Sequence, residues 1–442
     1  MKTTQTSRTK LRLLGLGAFL TAAMLPASGA TLCVNPGGTS GCFGTISTAV
    51  AAATPGSTIQ VAQGVYKETV TITQPISLVG SGAIIDATGR ANGIFVNGMS
   101  AAPAAGVYDI TVSGFTVKNA NFEGILVANA VNVTISGNTV TGNDVGLNYS
   151  AQTCAGQPGY ETNEGSDCGE GIHLIAVNHS VVASNIITNN AGGMLISDET
   201  GPSYENVITS NTVTDNALDC GITLASHTPA PNLPQGPSYG VFRNTVSFNL
   251  VQHNGSIGQG AGVGIFAPGP GAANWGNVVA SNLLIDNGIG GVTMHNHAAP
   301  GVAGVPAQAP GVNLNDNQIV GNQISGNGAD NDDPASPGAT GISILSFTSI
   351  AGTVIAQNTF SSEVADITFN GPAGLIAVHL NSFSGIETGV AAESTGGIDA
   401  SQNWWGCPTG PGTTGCSTTT GSNIYAPSWL PSAPVAATIP VL

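Results

Sequence analysis

One phrase decides the fold: VTISGNTVTGN (133–143), VVASNIITNN (181–190), VITSNTVTDN (207–216), TVSFNLVQHN (245–254), VVASNLLIDN (278–287), QIVGNQISGN (318–327) and VIAQNTFSSE (354–363). Each copy carries an apolar pair, small residues, an Asn, a second short apolar pattern and usually another Asn. The first Asn falls at Asn138, Asn185, Asn211, Asn249, Asn282, Asn322 and Asn358; Asn381 continues the series and Phe115 holds the place one turn earlier. The shortest intervals are 23 residues (115 to 138, 358 to 381) and 26 residues (185 to 211). A repeat of that length, with short β patterns and no helical period, describes one coil of a β-solenoid. Asn at a fixed turn position can stack its amides from coil to coil and tolerates left-handed backbone. The Leu-x-x-Leu-x-Leu frame of leucine-rich repeats is absent.

A second strand pattern lies between these phrases, aligned on a leading Gly: GIHLIAVN (171–178), GMLISDET (193–200), GITLASHT (221–228), GVGIFAPG (262–269), GVTMHNHA (291–298) and GISILSFT (341–348). Positions two and four are always apolar, so strand alternation points positions three, five and seven outward. The N-terminal FGTISTAVAAA (43–53) fits a short helix capping the open end. NWWG (403–406), a loop between Cys407 and Cys416 and a Pro-rich tail fit the other end. The expected class is therefore all-β: a single-stranded right-handed parallel β-helix over 31–402, with a C-terminal cap and tail over 403–442.

Residues 1–30 read as an export signal. Lys2, Arg8, Lys10 and Arg12 precede an apolar run from Leu13 to Leu25, then Ser28-Gly29-Ala30. The expected location is secreted, periplasmic or at the cell surface, with no membrane span. Beyond residue 30 the chain has 4 Lys+Arg against 24 Asp+Glu, a net charge of −20. Such a surface repels nucleic acid, and repels polyanionic glycans unless cations intervene. Seven cysteines suit an oxidising compartment, with Cys33–Cys42, Cys154–Cys168 and Cys407–Cys416 as local pairs and Cys220 left as a buried thiol.

GSTIQVAQGVYKETVTITQPISLVGSG (56–82) resembles the opening of secreted pectin-lyase-like right-handed β-helix proteins, and the Asn phrases resemble their repeats. That superfamily includes lyases, hydrolases, epimerases, adhesins, tail spikes and a periplasmic copper-accessory group, so the resemblance implies a fold more than a reaction. Its uronate lyases commonly use Arg or Lys, often with calcium. Here Lys67, Arg90, Lys118 and Arg243 all fall off the aligned strand.

The register instead gathers Asp198, Glu199, His227, His295 and His297 on an outward stripe. Coil spacing of roughly 4.8 Å makes Glu199 and His227 neighbours. Glu199 would orient His227, and His227 or His297 would serve as acid or base; Asp198 and Glu199 could alternatively be the carboxylates of a hydrolase. Phe266, Trp275 and Tyr239 are candidates for stacking a sugar ring. Asp330, Asp332 and Asp333 form an acidic cluster, a weak calcium candidate. His173 with Glu170 reads as a satisfied surface pair, Arg243 with Glu205 as an exposed ion pair, and His179, His253 and His379 lack evident partners. Three functions follow: a carbohydrate-active lyase, epimerase or hydrolase with a polysaccharide substrate; a non-catalytic binding or structural β-helix; and a copper-binding accessory protein, with Met294 beside the His pair.

Overall fold

The computed structural model describes residues 29–99, 106–144, 159, 169–229, 236–257, 260–296, 311–333, 336–372, 374–393, 397–436 and 439. Residues 1–28, which hold most of the expected export signal, Cys154, Cys168 and His297 lie outside the described residues.

Short strands stack coil on coil, and every pairing between named strands is parallel. Along one face the ladder runs through Ile125–Ser136, Glu170–Asn178, Gly192–Ser197, Ile222–Ala225, Val263–Phe266, Val292–Asn296, Thr340–Ser346 and Ala365–Asn370. The apolar positions pair as expected: Ile172 with Met194, Met194 with Ile222, and Ile222 with Val263. All belong to one continuous buried core running from Val34 to Cys416. A helix, Ile46–Ala52, caps the N-terminal end and buries Ile46, Ala49 and Val50. Thr45 is its N-cap, accepting from the Thr48 N–H. Cys33–Cys42 and Cys407–Cys416 are disulfide-bonded, and Cys220 is a free, buried thiol. Past residue 403, Thr418–Gly421 and Ile424–Tyr425 still pair in parallel with the coil before them.

The Asn series forms a buried amide ladder. Each Oδ1 takes the backbone N–H and an Nδ2 hydrogen from the Asn one coil earlier, from Asn138–Asn185 through to Asn381–Asn403. Phe115 starts it, its N–H donating to Asn138. A parallel ladder through Asn143, Asn190, Asn216, Asn254, Asn287 and Asn327 ends on Glu363. The left-handed residue of each turn is the one before the Asn rather than the Asn itself: Ser184, Ser210, Phe248, Ser281, Gln357 and Leu380 all have φ between 55° and 59°. That twist leaves the Asn side chain inside the turn, where it replaces backbone partners the turn cannot supply.

The leading glycines have a steric cause. A Cβ on Gly171 would lie 2.9 Å from the Gly193 carbonyl oxygen and 2.9 Å from Asn190 Nδ2. The pairing of Thr340 with Ala365 and Ile342 with Ile367 puts Asp366 in this row, beside Gly341.

Candidate functional site

The outward side of the site-bearing strands is not solvated. Leu126, Leu195, Ile175 and Leu345 are buried there, as are His173, Thr223, Thr293 and Ser343. Its outward positions are mostly apolar or small, so this face is a second buried layer. That corrects the reading of His173 as a surface residue.

Within this layer the strand ends bring titratable groups together. Glu199 Oε1 stands 3.0 Å from His227 Nδ1, the neighbour pair expected from the register. Glu199 Oε2 accepts from Ser197 Oγ at 2.5 Å, and Ser197 Oγ contacts His173 Nε2 at 2.8 Å. His173 Nδ1 lies 2.9 Å from Glu123 Oε1 and 3.7 Å from Glu170 Oε2. The chain of contacts is therefore Glu123–His173–Ser197–Glu199–His227. His227, at 7% exposure, is its most accessible member; Glu199 and Asp198 are at 0%.

Asp198 takes a different part. Its carboxylate accepts from the His227 N–H at 2.6 Å, from Ser226 Oγ at 3.0 Å and from the Gly240 N–H at 2.5 Å. It fastens the two ends of the 226–240 segment to the preceding coil. Burial, then the Glu199 charge, push its carboxyl up to about 7, against those hydrogen bonds and His227. Burial works the same way on Glu199, but the His227 charge, the His173 charge and the Ser197 hydroxyl outweigh it and hold that carboxyl at about 2. Two adjacent carboxylates thus sit in environments that separate their proton affinities.

His295 is a separate centre, two strands further along: Ala225 pairs with Phe266 and Phe266 with His295. Its Nε2 lies 2.6 Å from Asp330 Oδ2. Burial raises the Asp330 carboxyl, yet the His295 hydrogen bond and charge bring it below its ordinary value. The acidic cluster does not converge. Asp330 turns to His295 Nε2, the 63% exposed Asp332 lies 4.0 Å from His295 Nδ1, and Asp333 turns away, accepting from Asn370 Nδ2 at 2.7 Å. Among the described residues, the metal-type donors that converge within 4.8 Å are instead those of Glu123, Glu170 and His173. Met294 is sealed in the core, so it cannot join His295 as a ligand.

The stacking candidates are also dispersed. Trp275 stacks on Phe242 at 5.0 Å between ring centroids, and Phe242 on Tyr204 at 5.1 Å, so one Trp275 face is occupied. Phe266 packs against Cys220, Ala261 and Ile289, with its ring 5.8 Å from that of His295. Tyr239 is 40% exposed. Arg243 and Glu205 form the expected exposed pair at 3.2 Å, of little energetic weight. The remaining histidines do have partners: His179 with Glu205, His253 with Asp215 and Asp286, and His379 with Asp399. A cleft of about 210 Å³ lies further along the same face, lined by Asp333, Thr368, Asn370, Ala391 and Glu393.

Sequence reasoning missed Glu123 and Ser197. Glu123 is 50 residues from His173, and the insert between them hides the interval that would have aligned them. The usable signal was Glu123-Gly124 opposite Glu170-Gly171, the same dipeptide opening two paired strands.

These features define a class: a right-handed parallel β-helix protein. A family described as right-handed β-helix region matches residues 88–234. The structure is similar to an alginate lyase from Paenibacillus sp. str. FPU-7, at 12% identity and a TM-score of 0.50 over 77% of this chain and 97% of that one. It is also similar to the Dettilon tailspike protein, at 14% identity and a TM-score of 0.52 over 86% of this chain and 64% of that one. At such identities the likeness shows the fold. No curated protein matches the chain. No helix among the described residues is long and apolar enough to cross a membrane.

Proposed function

We propose that this protein is an exported enzyme that removes and returns protons on a uronate-containing polysaccharide, as a lyase or an epimerase, with His227 as its catalytic base. The observation that carries this reading is the Glu199–His227 contact of 3.0 Å, in which the buried carboxylate faces Nδ1 of the most accessible histidine in the network. A buried carboxylate facing Nδ1 leaves Nε2 as the nitrogen that would take the proton, the arrangement a general base needs. Asp198 and Glu199 are positioning residues. Asp198 holds the backbone of His227, and Glu199 places its charge beside the ring. Neither carboxylate is exposed, which disfavours a hydrolase built on the pair, because both groups would have to reach the glycosidic bond. The fold's relatives include an alginate lyase, and a stack of parallel strands offers an extended face to an extended chain. The −20 charge beyond residue 30 calls for a cation-bridged uronate rather than a bare one. The disulfides fit an oxidising compartment outside the cytoplasm.

The test is a screen of alginate, pectate and neutral glucans, with and without calcium, reading unsaturated products and deuterium uptake from D2O. On the uronate substrate, His227→Ala is expected to lower kcat/KM by about 10²–10⁴-fold. Glu199→Gln should lower it by about 10²-fold and move the acid limb of the pH profile, a shift that a merely structural role would not cause. Activity indifferent to His227→Ala, or turnover of neutral glucans alone, overturns the assignment. The burial of Asp198 and Glu199 favours a second reading, a non-catalytic β-helix in which the network only locks the coils. That reading predicts a lower Tm for His227→Ala and no turnover of any glycan.

A further inference from the structure

We propose that Glu123, Glu170 and His173 form a binding site for a divalent transition ion of the zinc class. The inference goes beyond the polysaccharide reading and stands whether or not the chain acts on glycans.

Three residues from two stacked coils converge, each at most 3% exposed. Glu123 ends the turn before the strand Ile125–Ser136, and Glu170 and His173 lie on the strand Glu170–Asn178, which pairs with it. The Glu170 N–H donates to Glu123 Oε2 at 2.8 Å, which aims the other oxygen, Oε1, at His173 Nδ1. One donor atom from each residue lies within 4.8 Å of the other two. The separations of 2.9 Å and 3.7 Å from Nδ1 bracket the roughly 3.0–3.4 Å between donors that bonds of about 2.1 Å produce. Gly169 leaves room beside them: a Cβ there would lie 3.2 Å from Glu123 Cδ and 2.8 Å from the Phe122 carbonyl carbon.

The proton count on the far side of the ring supplies an independent argument. Ser197 Oγ has one hydrogen and donates it to Glu199 at 2.5 Å. The contact between Ser197 Oγ and His173 Nε2 at 2.8 Å must then use a hydrogen on Nε2. With Nε2 protonated, Nδ1 of the neutral ring presents a lone pair to two carboxylates. Only a cation at Nδ1, a proton or a metal ion, makes that arrangement favourable. As carboxylates, Glu123 and Glu170 bring two buried negative charges. A divalent ion bound to the neutral ring matches the charge of both carboxylates. An imidazole with two carboxylates selects a transition ion over calcium, which prefers all-oxygen shells. Ser197 and Glu199 supply the outer-shell support that metal-bound histidines have, a partner on the second ring nitrogen. Binding releases any proton on Nδ1 to solvent, and three protein ligands leave a fourth position open.

The experiment uses the purified chain, stripped with chelator, dialysed and titrated with ZnCl2 against a chromophoric competitor, with CaCl2 in parallel. The expected result is one zinc per chain at submicromolar Kd, with a rise in Tm and no comparable calcium binding. Glu170→Gln should abolish that stoichiometric site, and Ser197→Ala, which keeps all three ligands, should weaken it by about 10–100-fold. If Glu170→Gln fails to fold, the Ser197→Ala affinity decides. Zinc binding unchanged in Ser197→Ala, as the surface pairs of His179 or His253 would give, overturns the proposal. So does a wild-type chain without a stoichiometric site, which would leave His173 an imidazolium held by two carboxylates.

Discussion

Asn249→Ala is expected to lower the stability of the β-helix by about 4 kcal/mol. Asn249 is fully buried at the middle of the amide ladder. Its Oδ1 accepts from Asn211 N at 2.9 Å and Asn211 Nδ2 at 3.0 Å; its Nδ2 donates to the Ile208 carbonyl at 3.0 Å and to Asn282 Oδ1 at 2.9 Å. Alanine removes all four bonds. It leaves the Asn211 N–H, one Asn211 amide hydrogen and the Ile208 carbonyl buried without these partners, at about 1–3 kcal/mol for each group. The Asn249 N–H still reaches Asn282 Oδ1, so the backbone path survives and the coil is weakened rather than rerouted. Asn249→Asp separates the two halves of the effect. Its oxygen still serves Asn211, but the donors to Ile208 and Asn282 are gone and a charge is buried between oxygens, so this variant should worsen as pH rises. Urea denaturation at pH 5 and pH 8 reads both. A loss under about 1 kcal/mol for Asn249→Ala would mean the stacked strands hold the register without the ladder.

Asp366→Asn should do the opposite and raise stability, by about 4 kcal/mol at pH 7. Asp366 occupies the row that earlier coils fill with glycine. Its side chain is fully buried, and neither carboxyl oxygen has a hydrogen-bond partner among the described residues. Burial, then the charges of Glu387 and Glu363, push its carboxyl from 3.8 up to about 9. The folded state therefore keeps a proton that the unfolded chain releases. Stability falls by about 1.4 kcal/mol per pH unit as pH rises from the unfolded to the folded value. Asparagine keeps the shape and is neutral in both states, so that slope disappears. Variant and wild type should have the same Tm near pH 4 and diverge steadily towards pH 9. Glu363 leaves a residual slope of the same sign, because burial and the Glu387 and Asp286 charges raise it to about 7 against its Asn327 hydrogen bonds. Parallel Tm curves across that range would show that Asp366 ionises freely.

The two residues mark what was legible in the sequence. Asn249 sits in a phrase that repeats seven times, so its role in a ladder can be read without coordinates. Asp366 looks like an ordinary strand residue until the pairing of Ile342 with Ile367 places it beside Gly341. The Glu199–His227 neighbours followed from register, since both occupy the seventh position of aligned strands. Their surroundings did not. Alternation points His173 outward, yet the outward layer is itself buried and His173 is only 3% exposed.

Sequence alone determined the β-helix, its inward and outward register, the capping helix and the stacked asparagines. Each of these is a local pattern repeated coil after coil, and a period of 20-odd residues survives insertions between its copies. Only the tertiary structure decided that the outward layer is buried, that Glu123 meets His173 across 50 residues and Ser197 meets it across 24, and that His295 stands apart with Asp330. The physical reason is that burial and proton affinity belong to the whole environment of a group. That environment is assembled by coils stacking over inserts of unequal length, which no single repeat encodes.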